Sequence, residues 1–82
     1  MNDSHILTRC TRILRELLSD DSIELTMATT RDAVPNWDSL AYVTFIVAVE
    51  LEFGVKFGVA DVESFETVGA IVERIKAQQL PS

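Results

Sequence analysis

The sequence predicts an all-α fold, a small four-helix bundle made of three main helices and one short third helix, with a long loop between helices I and II. Three observations carry that expectation. Apolar residues recur at spacings of three and four from Ser4 to Ser19 and again after Thr67, the period of a helix and not the alternation of a strand. Between those segments lies a nearly unbroken apolar run, LAYVTFIVAVELEF, with capping residue types at Asp38 and Ser39 before it and Gly54 after it. Hydrophobic residues make up 48% of the 82 positions, against three glycines and two prolines, which suits a folded helical domain and not a disordered segment.

Helix I is expected over about residues 4–19, with Ile6, Leu7, Cys10, Ile13, Leu14, Leu17 and Leu18 on its apolar face. Its polar face holds Arg9, Arg12, Arg15 and Glu16, and Arg12 can meet Glu16 one turn on. Residues 20–37 show no sustained period and form a loop long enough to suggest a functional segment, with Ile23, Leu25 and Met27 pinning it across the bundle. Pro35 makes it hard to extend helix II backward, so that helix spans about 38–53 and ends at a left-handed Gly54. Its apolar residues fall into two stripes: Leu40, Val43, Val47 and Leu51 on one side, and Tyr42, Phe45, Ile46, Val49 and Phe53 on the other. One stripe has to face something other than the domain's own small core. A short helix is expected at about 60–64, and a last one at about 67–78, capped by Thr67 and carrying Val68, Ile71, Val72 and Ile75.

At 82 residues the chain is expected to be a single domain, residues 1–82, with a modest core and no large enclosed active site. The formal charge of -6 disfavours a nucleic-acid partner and favours partners with basic surfaces. One cysteine, Cys10, excludes an internal disulfide framework and most thiolate metal sites, and the simplest compartment is the cytoplasm. The N-terminus does not read as a signal peptide, and the most apolar stretch, Leu40 to Val49, is too short to span a bilayer. Neither membrane insertion nor a metal site is expected, and the chain is expected to be a monomer.

Catalysis needs a nucleophile, a base and an orienting acid in reach of one another. His5 is the only histidine and sits in a terminal turn, while Cys10 lies on an apolar face where burial suppresses the thiolate. Asp20, Asp21 and Glu24, and Asp61, Glu63 and Glu66, lack the spacing of a calcium loop and read as solvated surface. The chain is therefore not expected to be an enzyme. Ser39 remains, either as the residue that starts helix II or as a hydroxyl offered to another enzyme. Both roles can coincide, because a phosphate ester at a helix start would meet free backbone N–H groups and the positive end of the dipole.

The Asp38-Ser39-Leu40 triplet, the apolar helix ending in Glu50-Leu51-Glu52-Phe53-Gly54, and the later Phe65-Glu66-Thr67-Val68-Gly69 together resemble an acyl carrier protein over nearly the whole chain. The resemblance implies that Ser39 is the attachment point for 4'-phosphopantetheine, delivered from coenzyme A by a phosphopantetheinyl transferase. It further implies a thioester-bound acyl or related cargo, an acyl-loading ligase or transferase, and downstream acyl-processing enzymes. On the same footing Asp38, Leu40, Val43, Val47, Glu50 and Glu52 would meet partner enzymes. Tyr42, Ile46, Val49, Phe57, Phe65 and Ile71 would line a shelter for an acyl chain, with ordinary core packing as the alternative for that second group.

Thr44 and Leu51 stand where fatty-acid carriers are often acidic, which leaves Glu50 and Glu52 as the main charges of helix II. Trp37 directly before Asp38 makes the segment look more like free-standing carriers of specialised pathways, such as polyketide or peptide-type biosynthesis or surface-polysaccharide modification. Trp37 itself reads first as a loop anchor. The reading is a carrier in a specialised pathway. An unloaded helical interaction module that binds a partner through helix II is the alternative.

Overall fold

A computed structural model describes residues 2–79, and it shows the expected all-helical bundle. Helix α1 runs Asp3–Leu18, α2 Ser39–Phe53, α3 Val59–Ser64 and α4 Val68–Gln79, with a 3-10 turn at Arg31–Ala33 inside the long loop. The final Leu80-Pro81-Ser82 of the sequence lies outside the described residues.

Helix α1 starts where Asn2 accepts a hydrogen bond from the His5 N–H at 2.8 Å, and ends at Ser19, whose left-handed φ of 52° closes the last turn. Ile6, Cys10 and Leu14, spaced by four, are fully buried and face α2 and α4. Arg12, expected to meet Glu16 on its own helix, reaches across to Glu52 of α2 at 3.4 Å instead, and Arg9 pairs with the same carboxylate. An acid on a packed neighbour offers both arginines one partner that the helix surface alone did not.

The loop after α1 is anchored at each apolar residue the sequence singled out: Ile23 and Leu25 are buried and Met27 is half-buried. Arg15 donates from Nε to the Ile23 carbonyl at 2.7 Å, tying the loop back to α1. Further on, the loop closes the start of α4, where Val68 N–H donates to Thr29 O at 2.8 Å and Gly69 N–H to Met27 O at 2.9 Å. Two helix-start donors that lack intrahelical partners are thereby satisfied. A third, the Ala70 N–H, is taken by the Thr67 hydroxyl at 3.2 Å, so Thr67 is the cap the sequence implied.

Helix α2 splits along the two stripes. Phe45, Ile46, Val49 and Phe53 are buried, while Leu40, Val43, Val47 and Leu51 are exposed, Leu51 by 81%. Gly54 ends the helix at φ 67°. The Glu50 carboxylate accepts from the Phe57 N–H at 2.8 Å, and Gln78 brackets Lys56 by accepting from its N–H and donating to its carbonyl. The link between α2 and α3 is thus held from both ends. Helix α3 begins where Asp61 accepts from the Gly58 N–H at 3.1 Å, and it is held to α2 by the Tyr42 hydroxyl donating to Val62 O at 2.8 Å. Among the described residues no helix is long and apolar enough to cross a membrane.

Candidate functional site

The start of α2 is set by a tight turn. Trp37 N–H donates to Val34 O at 3.3 Å across Pro35 and Asn36, and Asn36 adopts φ 70°. Proline followed by a residue with positive φ is the pattern of a type II turn. The turn drops Trp37 into the core, 5% exposed, where its ring meets Phe45 edge-on at 5.2 Å and Tyr42 at 6.1 Å. Trp37 is an anchor, as its loop position implied. With the tryptophan inside, the chain re-emerges at Asp38 and Ser39, both exposed.

These two residues divide the work that the sequence reading assigned jointly to Ser39. Asp38 is the cap: its backbone is extended, and its carboxylate accepts from the Ala41 N–H at 2.9 Å while its carbonyl accepts from Tyr42 N–H at 2.8 Å. Ser39 is the first helical residue, and its hydroxyl makes no hydrogen bond among the described residues. Capping and presentation of a hydroxyl therefore do not coincide in one residue. Asp38 spends its side chain on the helix, and the Ser39 hydroxyl is left out of the capping.

Beside Ser39 lies an open groove of about 510 Å³ lined by Thr30, Arg31, Asp32, Ser39, Tyr42, Val43, Val62, Glu63, Phe65 and Glu66. Of the six residues expected to shelter an acyl chain, only Tyr42 and Phe65 line it. Ile46, Val49 and Ile71 are buried in the core, and Phe57 packs edge-on against Phe65 at 5.3 Å. A core of this size needs those side chains for itself. The Tyr42 hydroxyl titrates above its ordinary value because burial opposes the phenolate, an effect partly offset by the Arg31 guanidinium, which stands 5.2 Å over the ring.

Of the residues expected to meet partners, Leu40, Val43 and Val47 are exposed, whereas Glu50 and Glu52 hold their carboxylates on the Phe57 amide and on the arginines of α1. Sequence reasoning missed Arg31, Asp32 and the α3 side of the groove. The available signal was charge isolation: Arg31 is the only basic residue between Glu16 and Val55. Cys10 is fully buried, and burial pushes its thiol up to about 12, leaving it protonated and inert at neutral pH. Among the described residues no group of three or more histidine, cysteine, aspartate or glutamate side chains could hold a metal ion.

A free serine hydroxyl at an open helix start, bordering a groove with one guanidinium, fits a phosphate-linked prosthetic group. Comparison with known proteins agrees. Residues 37–75 match the model of the phosphopantetheine attachment site. Bundle and attachment sequence together are similar to those of phosphopantetheine-dependent carriers, a class whose members hold cargo and have no catalytic activity of their own. More particularly, the chain is similar to a holo acyl carrier protein from Geobacter metallireducens, solved in solution by NMR. The likeness has a TM-score of 0.79 and 28% identity, and covers 94% of this chain and 95% of that one. The two comparisons show the acyl-carrier character that residues 38–69 carried in the sequence, with 4'-phosphopantetheine as the prosthetic group.

Proposed function

We propose that Ser39 is the attachment point and that the protein, as a single domain over residues 1–82, carries an acyl or related intermediate in a specialised biosynthetic pathway. One observation carries the assignment: the Ser39 hydroxyl is exposed and unbonded because Asp38 performs the capping. On loading by a phosphopantetheinyl transferase, Ser39 Oγ bonds to phosphorus, the nucleotide half of coenzyme A leaves, and the serine proton passes to the transferase or solvent. The bound arm supplies a thiol that holds cargo as a thioester; the chain supplies position and recognition. Leu40, Val43 and Val47 offer apolar contact to the enzymes that load and process the cargo, and Tyr42 and Phe65 offer the apolar wall nearest the arm. The specialised pathway is supported by Thr44 and an 81% exposed Leu51 on the outer face of α2. A buried, inert Cys10 suits a cytoplasmic setting.

Incubation with coenzyme A and a broad-specificity transferase is expected to add one phosphopantetheine by intact mass, with Ser39→Ala unmodified. A wild-type chain left unmodified by several such transferases would overturn the assignment. In that case stable capture of a partner by α2 that survives Ser39→Ala would favour the unloaded interaction module.

A further inference from the structure

We propose that Arg31 is a positioning residue for the prosthetic arm: its guanidinium pairs with the phosphodiester on Ser39 and turns the arm into the groove between the 3-10 turn and α3. The inference rests on Ser39 being the attachment point. Arg31 and Ser39 line the same groove, and Arg31 is its one basic side chain, against the carboxylates of Asp32, Glu63 and Glu66. A phosphodiester carries one negative charge at neutral pH. Within this groove three side chains repel it and one attracts it, so charge alone selects the Arg31 side.

Arg31 is also held in place for the task. Its guanidinium lies over the Tyr42 ring at 5.2 Å. That ring is fixed by its hydroxyl donating to Val62 O at 2.8 Å and by the Trp37 ring at 6.1 Å. Stacking of this kind leaves the edge of a planar guanidinium free for bidentate pairing with phosphate oxygens. Among the described residues no carboxylate stands within ion-pair distance of Arg31, so its charge has no fixed internal partner. An exposed pair of this type is weak between separate molecules. Covalent attachment changes that, because the phosphate is delivered beside the groove and its effective concentration there is high. Beyond the phosphate, Tyr42, Val43, Val62 and Phe65 give the apolar parts of the arm a wall to lie against.

The test compares wild type, Arg31→Gln and Arg31→Lys, each 15N-labelled, each loaded with phosphopantetheine and verified by intact mass. Apo spectra confirm that the variants keep the fold. In wild type, loading is expected to displace the amide resonances of Tyr42 and Phe65 as well as Leu40, which adjoins the new bond. In Arg31→Gln the displacements at Tyr42 and Phe65 are lost while that at Leu40 remains, and Arg31→Lys, which keeps charge without the planar stack, retains part of them. Raising salt on the wild-type holo protein should erode the same two displacements. A loaded Arg31→Gln protein with the wild-type pattern, or a wild-type pattern indifferent to salt, overturns the role of Arg31 and leaves attachment at Ser39 intact. A wild-type chain that never loads removes the attachment reading and this inference with it.

Discussion

At the scale of single residues, the separation of Asp38 from Ser39 makes a prediction that a shared role would not. If Asp38 acts on stability through its hydrogen bond to the Ala41 N–H, Asp38→Ala should lower unfolding free energy by about 1 kcal/mol, whereas Asp38→Asn, an equally good cap, should leave it unchanged. Urea denaturation of both variants reads the difference. Slower loading of Asp38→Asn at full stability would then report a use of the charge by the transferase. Both residues were legible in the sequence as capping types, but their assignment was not. It depends on where the backbone turns from extended to helical, which the turn over Pro35 and Asn36 decides. Arg31 was less legible still, since its place beside Ser39 follows from the course of the loop and not from any local period.

At the scale of elements, the loop between α1 and α2 acts as a strap over the start of α4. The sequence revealed that Ile23, Leu25 and Met27 would hold it, and it revealed Phe65-Glu66-Thr67-Val68-Gly69 as a motif. It did not reveal that these are two halves of one contact. Gly69 donates its N–H to Met27 O at 2.9 Å, and a Cβ at that position would stand 2.6 Å from the same oxygen. Backbone atoms cannot yield as a side-chain tip can. Gly69→Ala should therefore push the strap away, forfeiting the neighbouring Val68 N–H bond to Thr29 O as well, and cost roughly 1–3 kcal/mol despite the better helix propensity of alanine. Chemical denaturation measures that cost. Amide exchange should quicken first at Val68 and Gly69, since a lifted strap uncovers those donors before the core opens. Periodicity made α1 and α4 visible because burial imposes it on a sequence, and α2 showed as an apolar run between capping residue types. A strap held by main-chain hydrogen bonds imposes only a glycine.

At the scale of the whole molecule, charge and apolar surface are distributed in a way that bears on how partners dock. The net charge is -6, yet the two half-buried acids near the end of α2 are engaged by partners within the molecule, Glu50 by the Phe57 amide and Glu52 by Arg9 and Arg12. What α2 turns outward is Leu40, Val43, Val47 and Leu51, at 77%, 53%, 48% and 81% exposure. Association driven by such a face should depend little on salt, because the Debye screening that weakens steering between surface charges leaves apolar burial untouched. We therefore expect kcat/KM for loading of Ser39 to fall only shallowly as ionic strength rises. Val47→Glu should lower it by about tenfold, the loss that follows from keeping one valine-sized contact of about 1.4 kcal/mol out of the interface. Glu52→Gln provides the contrast: it should loosen the link of α1 to α2, visible as a lower denaturation midpoint, while loading stays near wild type. The opposite pattern, a steep salt dependence with Val47→Glu tolerated and Glu52→Gln slow to load, would return recognition to electrostatic steering. It would also mean that the Glu52 carboxylate leaves its arginines to meet a basic partner, because a charge held by Arg9 and Arg12 has little field left to offer.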